Sequence, residues 1–166
     1  MRLRDSLDRM RVPASVAGGA INAELYHRDR VDLAFAPGCY QRFSERELAD
    51  HLASLARVLH AEYVRRYFRA LSEAFERTIT KEPPAIGWRD QAYVEQREQL
   101  VAEGRSRDDR IVVTVRGMRA WHVWITAGAL RVLDERQFSA GFGEAAQAVI
   151  RDQFAGIRDL KTRIYG

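Results

Sequence analysis

The chain of 166 residues has the length of one domain, with room for a single hydrophobic core or for two small ones packed together. Hydrophobic residues make up 46% of it and charged residues 30%, with a net charge of only +4, which excludes a disordered or low-complexity chain. Cys39 is the single cysteine, which excludes a disulfide framework, and no apolar run reaches the length of a membrane span. We therefore expect a cytoplasmic protein that makes no membrane contact.

The first half of the chain begins with a short predicted helix. Its apolar residues recur at helical spacing: Leu3, Leu7 and Met10. Residues 12–16, followed by the glycines at 18–19, are typical of a strand that ends in a turn. Apolar residues then alternate over 21–25 and 31–35, which predicts a half-buried antiparallel hairpin that turns at 27–30.

A long helix is predicted next. Ser44 and Glu47 stand at the spacing of a capping box, so the helix is expected to begin at Glu45 and to run to about Ile79. Its apolar residues share one face: Leu48, Leu52, Leu55, Leu59, Tyr67, Leu71 and Phe75. Pro83–Pro84 then interrupt the helical pattern.

The second half follows the same order. The pattern predicts a helix from Gly87 to about Glu103, and a hairpin of strands over 111–115 and 121–125 that turns at 116–119. A second capping box pairs Asp134 with Gln137. The helix that it begins runs from Glu135 to about Arg163, with these residues on its apolar face: Phe138, Phe142, Val149, Phe154, Ile157 and Leu160.

The two halves form an internal repeat. A gapless shift by 90 positions lays residues 21–60 over residues 111–150, and the apolar positions coincide in type and period. The identical pairs are Ile21/Ile111, Gly38/Gly128, Glu45/Glu135, Arg46/Arg136 and Ala56/Ala146. We therefore predict an α+β protein of two units, 1–82 and 83–166, each with a helix, an antiparallel two- or three-stranded sheet and a long helix.

The same patterns predict the core. The residues expected in it are Leu25, Leu33, Phe35, Leu52, Leu55, Leu59, Val113, Val115, Val123, Ile125, Phe138, Phe142 and Val149.

Residues 112–150 resemble the YbaB/EbfC nucleoid-associated family, whose members have two alternating strands, a loop that ends in a Leu-x-x-Asp type cap, and an Ala-rich helix. The residues that carry this resemblance are Val113, Val115, Gly117, Val123, Ile125, Leu130, Leu133, Asp134, Ala145, Ala146 and Ala148. Residues 31–52 look like the same segment in actinobacterial members.

The resemblance implies a small homodimeric protein that coats or bends double-stranded DNA with weak sequence preference, without catalysis. Because this chain carries two such units, the second unit is expected to replace the partner subunit. One chain would then form a pseudo-symmetric dimer in the nucleoid, and its further self-association into a homo-oligomer stays open.

Motifs for catalysis or cofactor binding are weak in this sequence. Residues 141–146 match G-x-G-x-x-A, but they fall inside the predicted last helix rather than at a turn from strand to helix. The four histidines offer no metal-binding pair on one helix face: His27, His51, His60 and His122. We expect no metal, no cofactor and no enzymatic activity.

Basic clusters are the candidate DNA-binding residues. Arginine dominates the basic residues, and its guanidinium group pairs well with phosphate. The first cluster is Arg65, Arg66 and Arg69, which the helical spacing puts on one side of the long helix. Further candidates are Arg151, Arg158, Lys161 and Arg163 near the C-terminal end, and Arg2 and Arg4 near the N-terminal end.

A protein-binding adaptor, for example a chaperone-like accessory factor of a secretion system, is the alternative function. Aromatic residues exposed on the sheets would anchor the partner: Tyr26, Trp121 and Trp124. Such binding would persist at raised salt, whereas binding to DNA phosphates would weaken steeply.

Overall fold

The computed structural model describes residues 2–166, which form an α+β fold with two three-stranded antiparallel sheets. The elements of the first half are α1 (Leu3–Arg9), β1 (Arg11–Val16), β2 (Ile21–Tyr26), β3 (Arg30–Phe35) and α2 (Glu45–Ala74). Those of the second half are α3 (Gly87–Gln99), β4 (Val101–Arg105), β5 (Ile111–Arg116), β6 (Ala120–Ile125), α4 (Ala129–Val132) and α5 (Glu135–Tyr165). No helix within residues 2–166 is long and apolar enough to cross a membrane.

The two sheets have the same strand order and the same register. Ile21 lies opposite Phe35 in the sheet β1-β2-β3, and Ile111 lies opposite Ile125 in the sheet β4-β5-β6. Each of these residues lies 90 positions from its counterpart, so the repeat in the sequence corresponds to a repeat in strand pairing. Both predicted hairpins are confirmed, and so is the predicted strand at the start of the first half.

Two helices end earlier than predicted. The helix expected to reach Glu103 ends at Gln99, and the chain continues as β4, which pairs with β5. The helix expected to reach Ile79 ends at Ala74, because the chain folds back there. The Ser72 hydroxyl accepts a hydrogen bond from the Ile79 amide at 2.8 Å.

Both long helices begin at complete capping boxes, as predicted. The side chains of Ser44 and Asp134 accept hydrogen bonds from the third backbone amide of their helix, and the Glu47 and Gln137 side chains accept from the cap amide. Each box satisfies two backbone donors that the helix itself leaves free, which sets the first residue of α2 and of α5.

The hydrophobic core runs through both halves, because each long helix packs on both sheets. Helix α2 lies on β1 of its own sheet and on β6 of the other, and α5 lies on β4 and β5 of its own sheet and on β3 of the other. Every residue predicted for the core is buried except Ile125, which packs half-buried against it.

Glycines in the second half allow backbones to approach closely. A Cβ atom at Gly104 in β4 would lie 2.2 Å from the Ala145 carbonyl oxygen in α5. Gly143 in α5 faces a strand, since a Cβ there would lie 3.0 Å from the Val31 carbonyl oxygen. Gly141 likewise faces the side chain of Ile111, so both of these glycines in α5 have strand residues as neighbours.

Candidate functional site

Helix α1, which carries the N-terminal arginines, packs against α2, which carries the first basic cluster. The link is direct at Arg66, whose Nη1 donates a hydrogen bond to the Arg11 carbonyl oxygen at 2.8 Å. Because α1 ends at Arg9, its C-terminal end lies close to this part of α2. We call the exposed arginines of these two helices, Arg2, Arg4, Arg9, Arg65 and Arg69, the basic face.

Arg65 and Arg69 lie on the exposed side of α2. They border a shallow groove whose other wall is formed by Ile79 and Thr80, where the chain folds back on the helix. Arg65 pairs with Glu62 one turn earlier, with 3.1 Å between Nη1 and Oε2, while Arg69 has no ion pair within residues 2–166. Exposed guanidinium groups beside an open groove can reach phosphate oxygens, although Arg65 would first have to leave its surface pair with Glu62.

Arg66 does not share this exposed side, although the spacing predicted that it would. Its side chain is part-buried and holds the backbone of β1 through the bond to Arg11, and its Nε is buried without a hydrogen-bond partner. The reason is the rotation of about 100° per residue in a helix, which turns position 66 toward the sheet while 65 points away from it. Arg66 therefore positions α2 on β1 rather than facing solvent.

The N-terminal arginines Arg2 and Arg4 are exposed on α1. The acidic residues of the same helix are partly neutralised, because Asp8 Oδ1 lies 2.8 Å from Arg28 Nε. Asp5, in the first turn of α1, has no ion pair among the described residues and lowers the positive charge of the basic face.

The C-terminal candidates are exposed on α5 but are engaged in local contacts. Arg151 pairs with Asp29 at 2.9 Å, and Arg163 donates to the Gln96 side chain at 3.2 Å. Lys161 Nζ lies 5.9 Å from the centre of the Tyr93 ring. Arg158 is exposed next to the acidic residue Asp159, so this region does not form a continuous basic surface.

The aromatic candidates lie in three different environments. Trp121 is only 7% exposed, so its expected role as an exposed anchor is wrong: it lies on the inner face of β6. Trp124 lies on the opposite face, is 55% exposed, and stacks on His122. Tyr26 is half-buried, and its hydroxyl donates to Asp32 at 3.1 Å.

A cavity of about 380 Å³ lies between α2, α5 and the two hairpins. Its walls are mainly apolar, although some of the residues in them carry a polar atom that is buried inside the fold. Trp121 Nε1 and Gln153 Oε1 are both buried without a hydrogen-bond partner among the described residues. Burial lowers the pKa of His60 and raises the pKa of Tyr63, and both side chains belong to the cavity wall.

Sequence reasoning missed this cavity, although one signal for it is present. Gln153 follows Val149 by four residues and precedes Ile157 by four, so a polar amide stands on the apolar face of α5. A buried polar side chain on such a face usually has a partner. The walls themselves come from elements far apart in the sequence, and helix periodicity does not reveal them.

Comparison with protein-family models, with curated proteins and with solved structures finds no match to this chain. Within residues 2–166, no group of three or more His, Cys, Asp or Glu side chains is placed to hold a metal ion.

Proposed function

We propose that this protein binds double-stranded DNA in the cytoplasm through its basic face, with weak sequence preference. The observation that carries the proposal is the packing of α1 against α2, since it gathers arginines that are more than 50 positions apart in the sequence. Guanidinium groups on two adjacent helices can contact phosphates along a duplex, and phosphate contacts are insensitive to base sequence.

The proposed fold family is a tandem YbaB-like protein whose two units form a pseudo-dimer, with a boundary near residues 82–83. Support comes from the order of elements, because each half has a helix, three antiparallel strands and a long helix. Support also comes from the reciprocal packing of α2 on β6 and of α5 on β3, which are contacts between the halves. In this proposal the protein acts as a nucleoid-associated protein and not as an enzyme.

The two halves would not contribute equally to DNA binding. The positions 90 residues after Arg65, Arg66 and Arg69 are Ala155, Gly156 and Asp159. A symmetric dimer would repeat the basic cluster on both long helices, whereas this chain carries it only on α2. We therefore place the DNA on one side of the molecule, along α1 and the C-terminal half of α2.

The test is a titration of a random-sequence duplex at several salt concentrations. Each phosphate contact contributes about 0.9 to the slope of log affinity against log salt. The double variant Arg65→Ala, Arg69→Ala should weaken binding at low salt and flatten the slope by up to about 1.8. Arg66 stays unchanged, because its bond to the Arg11 carbonyl holds α2 on β1.

A matched variant, Arg158→Ala with Arg163→Ala, removes the same charge from exposed positions of α5. We expect it to keep the wild-type slope. An equal change of slope in both variants would show a response to net charge and contradict binding at the basic face. Absence of binding at low salt would refute DNA binding.

The alternative function, a protein-binding adaptor, is favoured by the exposure of Trp124. Its ring borders an open groove between β6 and the start of α2, and large side chains of this kind often anchor a partner protein. Trp124→Ala would weaken such binding at any salt concentration and leave DNA binding unchanged, which separates the two functions.

A further inference from the structure

The cavity between the two long helices is built from positions that correspond in the repeat. Several pairs of residues that lie 90 positions apart contribute both of their members to its wall. Among these pairs are Val31/Trp121 on the strands, and Ala56/Ala146 and Leu59/Val149 on the long helices. The cavity therefore lies where the two halves meet, and elements of both halves surround it.

The wall presents hydrocarbon and aromatic rings to this space. Its accessible surface is almost entirely apolar. Trp121 and Gln153 belong to the wall, but the indole Nε1 and the amide Oε1 are buried inside the fold and do not face the cavity. A water molecule binds stably in a cavity only where it finds two or more polar partners. The cavity therefore holds water poorly and favours an apolar occupant.

The charges around the cavity favour a neutral ligand. Arg28 is the cationic residue in its wall, and Asp8 already pairs with it, since 2.8 Å separates Asp8 Oδ1 from Arg28 Nε. Burial keeps the pKa of His60 below its ordinary value, so that its ring is neutral at pH 7. An ionic ligand would lose its hydration and find no free counter-charge in the described part of the wall.

We propose that this cavity binds a neutral aromatic molecule that carries no charged group. Aromatic side chains enter the wall from four elements: Tyr63 from α2, Tyr93 from α3, Trp121 from β6, and Phe142 and Phe154 from α5. Aromatic rings attract one another in edge-to-face and offset-stacked arrangements, so these side chains favour a ring over an aliphatic chain. The volume of about 380 Å³ lies at the small end of the range for ligand pockets, which suits a small molecule rather than a helix of a partner protein.

The experiment compares naphthalene with 2-naphthoate, which has the same ring system and a carboxylate that is ionised at pH 7, by equilibrium dialysis against the full chain. We expect naphthalene to bind and 2-naphthoate to bind at least about tenfold more weakly, because its carboxylate would lose hydration without gaining a counter-charge. Absence of naphthalene binding, or equal binding of the two compounds, would overturn the proposal.

Two independent variants that fill the cavity test where naphthalene binds. Ala56→Phe on α2 and Ala146→Phe on α5 each add a ring to the wall, and each should weaken naphthalene binding at least about tenfold, because two rings cannot occupy the same space. Ala140→Phe is the matched control and should leave binding unchanged, since Ala140 is exposed on α5 and does not belong to the wall. Circular dichroism checks the fold of each variant, and if one of them does not fold, the other carries the test. A folded variant at either cavity position that binds naphthalene as tightly as the wild type would contradict the assignment.

Discussion

The two halves of the chain share one framework and differ in what they place on it. Strand order, register and capping boxes recur at a distance of 90 positions, and so do most buried apolar positions. The C-terminal halves of the long helices differ, because α2 carries Arg65 and Arg69 where α5 carries Ala155 and Asp159. The comparison teaches that the outer faces of the two helices diverge, while most inner positions stay apolar, with Tyr63 and Gln153 as an exception among the inward-facing pairs.

The helices also differ in how closely they lie on their sheets. Gly104 of β4 has Ala14 of β1 as its counterpart, and only the glycine lets a helix backbone reach the strand. A Cβ atom at Gly104 would come within 2.2 Å of both the Ala145 carbonyl oxygen and the Val149 amide nitrogen. At Gly104, helix α5 therefore lies closer to its strand than any residue with a Cβ atom would allow.

The largest effect is expected from Gly104→Ala. The added methyl group would collide with helix backbone, which cannot move aside as a flexible side chain does, so we expect a loss of about 3 kcal/mol in the free energy of unfolding. Urea denaturation measures this loss. The counterpart change Ala14→Gly should cost about 1 kcal/mol or less. Similar small losses in both variants would mean that the two helices lie equally close to their sheets.

A contact between the halves gives the next effect. The hydroxyl of Tyr40, a side chain only 4% exposed, donates to the Leu133 carbonyl oxygen at 2.7 Å, and the residue 90 positions after Tyr40 is Leu130, which has no hydroxyl. Tyr40→Phe leaves that carbonyl without this donor and should cost about 1–2 kcal/mol in urea denaturation. In the matched variant Tyr26→Phe, which loses a bond at the surface, the change should stay within about 0.5 kcal/mol. Equal losses would contradict a special role for this contact.

The same tyrosine predicts a dependence on alkaline pH. Burial, together with the nearby carboxylate of Asp134, raises the pKa of Tyr40 from 10.0 to about 12. The folded state thus favours the neutral phenol, and this contribution to stability is complete below pH 10 and is lost as the pH rises through 12. Between pH 9 and pH 11, the free energy of unfolding should fall less for Tyr40→Phe than for the wild type. If it falls equally in both proteins, the result would count against burial of the phenol.

The smallest effects are expected at the caps. Ser44→Ala and Asp134→Ala each leave a backbone amide of the first helical turn without its acceptor, and each should cost about 1 kcal/mol. Because the two boxes consist of the same two hydrogen bonds between cap and third residue, the two losses should agree within about 0.5 kcal/mol, again measured with urea. A clear difference would show that one half depends on its long helix more than the other does.

Local patterns predicted most of the framework, but β4 was missed. Its sequence Val-Ala-Glu-Gly-Arg offers only the small Ala102 and Gly104 on the inner face, so the alternation of apolar residues is weak there. Those two small residues suit a strand that a helix covers at close range. The need for small residues in β4 becomes clear only from the packing of α5 on this strand.

The site was less predictable than the fold. The alternation in β6 already puts Trp121 and Trp124 on opposite faces, so only one of them could be exposed. Helical spacing grouped Arg66 with Arg65 and Arg69. In the fold, however, Arg66 faces the sheet beneath α2 and donates a hydrogen bond to the backbone of β1. Helical spacing gives the angle between two side chains around the helix axis, but it does not say which side of the helix packs on the sheet.

The sequence by itself determined the α+β class, the hairpins, the starts of both long helices and the residues of the core, because these depend on neighbours within a few positions along the chain. Only the tertiary structure decided which arginines stay exposed, that α1 adds its arginines to those of α2, and that Trp121 and Gln153 line one cavity. These features depend on contacts between residues far apart in the sequence, and the packing of each long helix on both sheets sets those contacts.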